Sequence, residues 1–133
     1  MTNQATRRHI SSGSEFERIY SYSRAIVLGN HIYVSGTTGY DYATSTLPEG
    51  AHAQTVQLFR NVESALKQAG ATLKNVVRVR MYIAQPEDYE TIMQVFARTF
   101  AGVEPTCTTV QAGLFDAAIR IEMDMDAVIN AGT

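Results

Sequence analysis

Two stretches of this sequence alternate between apolar and polar residues, a pattern that predicts β-strands with one buried face. They span residues 76–83 and 119–127. The alternating apolar residues are Val77, Val79, Met81 and Ile83 in the first stretch, and Ile119, Ile121, Met123 and Met125 in the second. The residues between them are Arg78, Arg80 and Tyr82, then Arg120, Glu122, Asp124 and Asp126. A sheet built from these strands has one apolar face and one highly polar face.

Two amphipathic helices are predicted to cover the apolar face. Residues 54–69 carry an apolar residue at roughly every third or fourth position, and Gly70 is suited to end this helix. Pro86 followed by two acidic residues is typical of a helix start, and Gly102 ends this second helix. The apolar stripe of the second helix consists of Tyr89, Ile92, Met93, Phe96 and Phe100.

The remaining strands complete a mixed sheet. Residues 22–36 predict a hairpin, because two β-rich runs are joined by Gly29 and Asn30, which tolerate the positive φ of a tight turn. Residues 7–11 form a weak first strand, and residues 106–112 precede the last one. The resulting order predicts an α+β fold, a mixed six-stranded sheet with two helices on one face. We expect the uncovered polar face to be buried against further copies of the chain.

Length and charge restrict the class of protein. The 133 residues suit one domain spanning 1–133, and 45% hydrophobic with 18% charged residues is typical of a globular chain. A net charge of −2 does not favour binding to nucleic acid or to a membrane, and no apolar run is long enough to cross a bilayer. The lone Cys107 cannot form an intramolecular disulfide, which favours a reducing, cytoplasmic location.

Few residues are suited to hold a metal or a cofactor. His9, His31 and His52 are scattered, and the close His or Cys spacing of a metal site is missing from the sequence. We therefore expect neither a metal site nor a cofactor.

A polar segment follows the hairpin. Gly36-Thr37-Thr38-Gly39 is either a simple strand-to-loop turn or the wall of a polar pocket to which the hydroxyls of Ser35, Thr37 and Thr38 contribute. The residues alone leave both interpretations open.

Two further residues have a structural and a chemical interpretation. Cys107 is either a small core or interface residue, or a nucleophile. Glu122 belongs either to an ion-paired face, with Arg78 and Arg80 as cross-strand partners, or to a catalytic site. For both residues, composition and spacing favour the structural role.

The motifs taken together resemble the RidA/YjgF family, also called the L-PSP endoribonuclease-like family. The similarity extends from about Arg7 to Val128. It is carried by Y-S-R-A-I-V-L-G-N-H-I-Y-V-S-G-T-T-G at 22–39, R-N-V to L-K-Q-A-G-A at 60–71, N-V-V-R-V-R-M-Y at 75–82, Asp88-Tyr89, Phe100, Pro105 and I-E-M at 121–123.

This resemblance implies a fold, an assembly and an activity. Members of the family resemble the Bacillus-type chorismate mutase and form homotrimers with three ligand pockets at subunit interfaces. Their best-known activity is the hydrolysis of reactive enamines and imines, such as 2-aminoacrylate and its imino tautomer, to 2-oxo acids and ammonia. In those members the arginine of a P-A-R motif pairs with the substrate carboxylate, and a glutamate in the last strand helps to place the attacking water.

Some of these residues carry over to this chain. The resemblance implies that Glu122 is the glutamate that places water. It also implies that Tyr22, which corresponds to the tyrosine of the family's Y-S-Q-A motif, lines the pocket together with the pair Ser35-Gly36. Thr37 and Thr38, next to this pair, are expected to bind polar substrate atoms.

Other family residues are replaced. The arginine motif reads Pro105-Thr106-Cys107, so that Cys107 occupies the carboxylate-binding position, and Met93 stands where the deaminases often have an asparagine. A thiol cannot imitate the charged, two-pronged guanidinium. Arg80 and Arg120 are candidates to replace it, because both are predicted on the face that carries Glu122. The alternative is that they only pair with Glu122 and Asp124.

Two functions follow as hypotheses. The first is a hydrolase, a deaminase acting without a cofactor on a small reactive imine, enamine or related C–N metabolite other than the typical 2-imino acid. The second is a non-catalytic trimeric protein that binds a small metabolite. The ribonuclease role in the family's second name is less favoured, because the sequence has neither a basic patch nor paired catalytic histidines.

Overall fold

The computed structural model describes residues 6–130, so residues 1–5 and 131–133 of the expected domain lie outside the described part. The strands are β1 (Arg7–Ile10), β2 (Ala25–Leu28), β3 (His31–Thr37), β4 (Val76–Ile83), β5 (Thr106–Gln111) and β6 (Ile121–Val128). They form one sheet in the order β1-β2-β3-β6-β4-β5. Neighbouring strands are antiparallel except β4 and β5, which are parallel. The predicted α+β class with a mixed six-stranded sheet is confirmed.

Two main helices cover one face of this sheet. They are α2 (Ala51–Gln68) and α3 (Tyr89–Thr99), and α2 packs against β3, β6 and α3. Alternate residues of the strands point toward them, and the largest fully buried side chains of this core are Ile32, Leu58, Leu66, Met81, Ile92, Ile121, Met123 and Met125. The opposite side of the sheet, which we call the polar sheet face, carries the charged residues of β4 and β6.

At the start of β4, the residues that face the core differ from those predicted. The pairing with β6 shifts between Val76 and Arg78, so that one residue of β4 has no partner in the ladder. This bulge turns Val76 into the core, where it is 3% exposed, and leaves Val77 38% exposed. The prediction that Val77 belongs to the apolar face was therefore wrong, because strict alternation does not allow for an inserted residue.

The segment before β2 contains a helix that the periodicity did not predict. This short helix, α1 (Glu15–Tyr20), begins at Ser14, whose side chain accepts a hydrogen bond from the Phe16 amide, and ends at Ser21 in the left-handed conformation. It exposes Phe16 and Tyr20 to solvent, so that it lacks the apolar stripe by which the longer helices were recognised.

Candidate functional site

Glu122 lies on the polar sheet face, directly opposite Tyr82 of β4. Its side chain is half-buried, and its carboxylate rests against Gly36 of β3. A Cβ atom at position 36 would overlap Glu122 Oε2 and would lie 3.1 Å from its Cδ atom. No donor within residues 6–130 forms a hydrogen bond with this carboxylate. Glycine at position 36 therefore makes room for an acid that keeps its hydrogen-bonding capacity for another molecule.

The surroundings of Glu122 favour its protonated form. Burial raises the pKa of this carboxyl above the ordinary 4.5, the positive charge of Arg24 opposes the increase, and the negative charge of Asp124 adds to it. The net effect is a raised pKa. A carboxyl group with a raised pKa can both accept and donate a proton closer to neutral pH.

The backbone beneath Glu122 is a bulge at the end of β3. The register with β6 shifts before Thr37, which leaves Ser35 and Gly36 outside the regular ladder. Ser35 N donates to Arg24 O over 2.9 Å, and Ser35 Oγ donates to Ser23 O over 2.6 Å. Thr37 is fully buried, and its hydroxyl donates to Ser35 O over 2.8 Å. These bonds fix the bulge, and they direct the Thr37 hydroxyl into the interior.

A buried ion pair lies next to the bulge. Arg24 Nε donates to Glu17 Oε2 over 3.1 Å, and the two side chains are 5% and 4% exposed. Arg24 Nη1 donates to Gly36 O over 2.6 Å and to Thr37 Oγ1 over 3.0 Å. One guanidinium group thus connects α1 with the β3 bulge against which the Glu122 carboxylate rests.

Glu17 has further partners that keep it charged. It accepts hydrogen bonds from the Ser12 amide, over 3.1 Å, and from the hydroxyls of Ser11 and Ser12. Burial by itself raises the pKa of Glu17, but the hydrogen bonds from Ser12 and the charged contact with Arg24 outweigh it and hold that pKa below 4.5. Sequence reasoning missed this pair. The available signal was a single arginine directly before the apolar run of β2.

The described residues do not form a metal site. Among residues 6–130, no cluster of three or more His, Cys, Asp or Glu side chains is placed to hold an ion. None of the helices in this part of the chain has the length and apolar character needed to cross a bilayer.

Comparison with known proteins identifies the family. Residues 12–129 match the family described as Endoribonuclease L-PSP. The chain belongs to this family. The resemblance to RidA/YjgF proteins is thereby confirmed, and so is the fold, which solved structures of the family share.

Relatives of this L-PSP family protein include enzymes and solved structures. The 2-iminobutanoate/2-iminopropanoate deaminase of Rattus norvegicus is 31% identical over 123 residues, which cover 92% of this chain and 90% of the rat protein. The structure of a YjgF/YER057c/UK114 family member from Mycobacterium tuberculosis is 36% identical, covers 93% of this chain and 100% of that one, and has a TM-score of 0.85. RidA from an Antarctic Psychrobacter is 26% identical, covers 97% of this chain and 100% of that one, and has a TM-score of 0.79.

Cys107, which the resemblance predicts to replace the family arginine, lies on the other side of the sheet from Glu122. Cys107 is exposed on the edge strand β5 and is paired with Val79 of β4, whose side chain is buried on the helix-covered face. Glu122 is paired with Tyr82 on the polar sheet face. Because paired residues of neighbouring strands share a face, one L-PSP family chain does not bring its Cys107 and its Glu122 into one pocket.

Both arginines proposed as replacements have acidic partners. Arg80 Nη1 donates to Asp124 Oδ1 over 2.6 Å. Arg120 donates to both carboxylate oxygens of Asp88, over 2.7 and 2.9 Å. Within the described chain neither arginine donates a hydrogen bond to Glu122. The pairing of Arg80 with Asp124 matches one of the expected alternatives, whereas Asp88 was not anticipated as a partner.

Of the remaining predicted residues, Tyr22 lies beside Arg24, whereas Thr38 contacts α2. The ring centroid of Tyr22 is 5.9 Å from Arg24 Cζ, and 43% of Tyr22 is exposed. Thr38 is half-buried, and its carbonyl accepts a hydrogen bond from Asn61 Nδ2 over 3.0 Å. The structure therefore places Tyr22 beside the arginine that binds the bulge, and it separates Cys107 from these residues. Arg24 itself stands where the family's Y-S-Q-A motif has glutamine.

Proposed function

We propose that this protein is a hydrolase that deaminates a small imine or enamine without a carboxylate group, with Glu122 as its acid–base residue. A general RidA-like deaminase role is supported by the family match and by the imine deaminases among the relatives. The observation that carries the specific proposal is the half-buried Glu122 carboxylate, which lies against Gly36 and has no hydrogen-bond donor within residues 6–130.

The chemistry required of Glu122 is a two-way proton transfer. As a water oxygen bonds to the carbon of a protonated imine, Glu122 accepts one proton from that water, and a neutral carbinolamine forms. The carboxyl then returns this proton to the nitrogen. The C–N bond breaks with its electron pair leaving on ammonia, the hydroxyl proton passes back to Glu122 or to solvent, and a carbonyl compound remains. The raised pKa of Glu122 suits both directions of transfer.

The charges near Glu122 support a substrate without a carboxylate. Arg24, Arg80 and Arg120 are each paired with an acid of the same chain. Within residues 6–130, Glu122 has no such partner, and its ionised carboxylate attracts a protonated imine and repels a carboxylate. The family's arginine is replaced by Cys107, so that the ordinary means of binding a 2-imino acid is missing as well.

The site is proposed to lie between copies of the chain in a homotrimer. Support comes from the opposite orientation of Cys107 and Glu122, since only a second copy can bring these two positions together. The polar sheet face, which α2 and α3 leave uncovered, gives that copy a surface to contact. A particle with three times the chain mass of 14.6 kDa in light scattering is the expected result, and a monomer that retains full activity would contradict this part.

The decisive experiment compares two imines generated in the cuvette. An amine oxidase acting on a short primary amine supplies the neutral imine, and an amino-acid oxidase acting on alanine supplies 2-iminopropanoate. Semicarbazide traps the imine that remains, so a slower semicarbazone signal reports hydrolysis. We expect acceleration of hydrolysis for the neutral imine and a much smaller effect for 2-iminopropanoate. A preference for 2-iminopropanoate would overturn the proposed substrate class.

The imine assay and a thermal-shift measurement together test a second candidate function, the binding of a small metabolite without turnover. The replacement of the family's arginine by Cys107 is equally compatible with a protein that binds a small metabolite without turnover. In that case neutral carbonyl compounds would raise the melting temperature in a saturable way, while neither imine would be hydrolysed faster than in buffer. This pair of results would reject the hydrolase.

A further inference from the structure

Arg24 occupies an unusual place for a charged residue. It is 4% exposed, yet its guanidinium group contacts two separate parts of the chain: Glu17 of α1, and the Gly36 carbonyl and Thr37 hydroxyl of the bulge. Removing a charge from water is costly, and replacing a buried pair with apolar residues is often neutral or stabilising. Stability alone therefore gives little reason for a buried arginine at this position.

The contacts of Arg24 determine the geometry below Glu122. Because the bulge takes Ser35 and Gly36 out of the regular ladder, Arg24 supplies the donor for the Gly36 carbonyl. The Glu122 carboxylate in turn rests on Gly36. A displacement of the Gly36 backbone therefore changes the position of the Glu122 oxygens directly.

Arg24 also supplies positive charge near Glu122. Within residues 6–130, Arg24 and Asp124 are the charged groups that shift the pKa of Glu122, and Glu122 in turn raises the pKa of its cross-strand neighbour Tyr82. Of these, Arg24 is the cation, and its charge favours the ionised form of Glu122, against burial and Asp124. Arg80 is bound to Asp124 and Arg120 to Asp88.

We propose that Arg24 is a positioning residue of the Glu122 site: with Glu17 as its anchor it holds the bulge under the carboxylate and provides the positive charge beside it. The catalytic part of this inference rests on the proposed function. The effect of Arg24 on the position and the pKa of Glu122 does not, so it can be tested without any substrate.

The test is a titration of the Glu122 carboxyl by NMR in protein labelled with carbon-13 at the glutamate side-chain carboxyls. The signal is assigned from its loss in Glu122→Gln. Two variants change the charges of the ion pair in different ways. Glu17→Gln leaves the Arg24 charge without its anion, and the double variant Glu17→Gln/Arg24→Gln removes both charges.

Opposite shifts of the Glu122 pKa are expected. In Glu17→Gln the positive charge is no longer compensated, so the pKa of Glu122 falls below its wild-type value. In the double variant the nearby cation is gone, so that pKa rises. If Arg24 only stabilises the fold, the two variants should not shift the pKa of Glu122 in opposite directions. A double variant whose Glu122 pKa is unchanged or lower would overturn the proposal.

Two controls keep the result interpretable. The exposed pair Glu15 and Arg18 also lies on α1, with side chains 72% and 71% exposed, so the double variant Glu15→Gln/Arg18→Gln makes the same chemical change outside the site. It should leave the Glu122 pKa unchanged. If Glu17→Gln does not fold because it buries an unpaired charge, the double variant alone decides, since its two amides carry no charge.

Charge and geometry are separated by Arg24→Lys. Lysine keeps the positive charge, but its single ammonium cannot match the fork that serves Glu17, Gly36 and Thr37 together. We expect the Glu122 pKa to stay near the wild-type value while kcat/KM for the neutral imine falls about 10-fold to 100-fold, because a displacement of about 1 Å is sufficient for such a loss. Wild-type kcat/KM in Arg24→Lys would refute the positioning role. If the wild-type protein does not hydrolyse the neutral imine, the proposed function is rejected. The NMR titration of Glu122 then still tests the role of Arg24.

Discussion

Gly36→Ala tests the contact on which the site depends. In the structure, a Cβ atom at this position overlaps Glu122 Oε2, lies 3.1 Å from Cδ and 3.6 Å from Cγ, and meets no backbone atom among its three nearest neighbours. The atoms that it meets belong to the end of a flexible side chain. The substitution should therefore move the Glu122 carboxylate and leave the fold in place.

The size of the effect follows from these contacts. Overpacking of a rigid core costs about 1–3 kcal/mol, but a movable carboxylate reduces this to about 1 kcal/mol or less. Replacing glycine also stabilises the folded chain by about 0.4–1 kcal/mol, through the unfolded state. The two effects nearly cancel, so the melting temperature should change by less than about 5 °C. A displacement of about 1 Å at the proton-transfer group should lower kcat/KM about 100-fold.

The assay is hydrolysis of the neutral imine, measured together with thermal unfolding of the same sample. Gly113→Ala is the matched control, because a Cβ atom there meets nothing within 4 Å. It should keep the wild-type rate, and its melting temperature should equal that of the wild type or exceed it by up to about 5 °C, because alanine also restricts the unfolded chain. A Gly36→Ala protein with wild-type kcat/KM would refute the reasoning, since the Glu122 carboxylate would then not need its present position.

Three further variants test the charges of the site. Cys107→Arg restores the family's guanidinium, so KM for 2-iminopropanoate should fall about 30-fold or more, corresponding to about 2–5 kcal/mol for the new ion pair; an unchanged KM in steady-state kinetics would show that position 107 does not face the pocket. Asp124→Asn removes a negative charge beside Glu122 and replaces the charged acceptor of the Tyr82 hydroxyl with a neutral amide. The pKa of each of these two groups should fall in NMR titrations, and a rise in either would contradict the account. Glu17 has a pKa held below 4.5 in the folded state, so it contributes stability above pH 4.5 that is lost as the pH falls through the folded value. In urea unfolding between pH 3 and 5, the free energy of unfolding of Glu17→Gln should change less with pH than that of the wild type. An equal change with pH in both proteins would contradict a lowered Glu17 pKa.

The fold was largely predictable because its elements are periodic. The alternation in residues 76–83 and 119–127, the turn at Gly29-Asn30 and the spacing in residues 54–69 each reflect contact with one buried face. The structure places strands, a hairpin and a helix at these segments, with boundaries that shift by a few residues. A bulge interrupts such a period without a local signal, which is why Val77 was placed on the wrong face.

The site was predictable only in part, because its support comes from long-range contacts. Glu122 and Gly36 were singled out through the resemblance to the family, and the structure brings them into contact. The pair of Glu17 and Arg24 could not be found by periodicity, since a short helix without an apolar stripe carries one partner. The burial of Thr37 depends on the bulge at Ser35 and Gly36. The sequence does not reveal this burial, because Thr37 lies in a segment of polar residues.

The most direct test of the central claim is the rate at which ammonia is released from the neutral imine by wild type and by Glu122→Gln. Glu63→Gln, the same change at an exposed position on α2, is the control. An acid–base carboxylate contributes about 100-fold to 10,000-fold to such a reaction. The account predicts that Glu122→Gln loses at least about 100-fold while Glu63→Gln keeps the wild-type rate. A Glu122→Gln protein that releases ammonia as fast as wild type would contradict it.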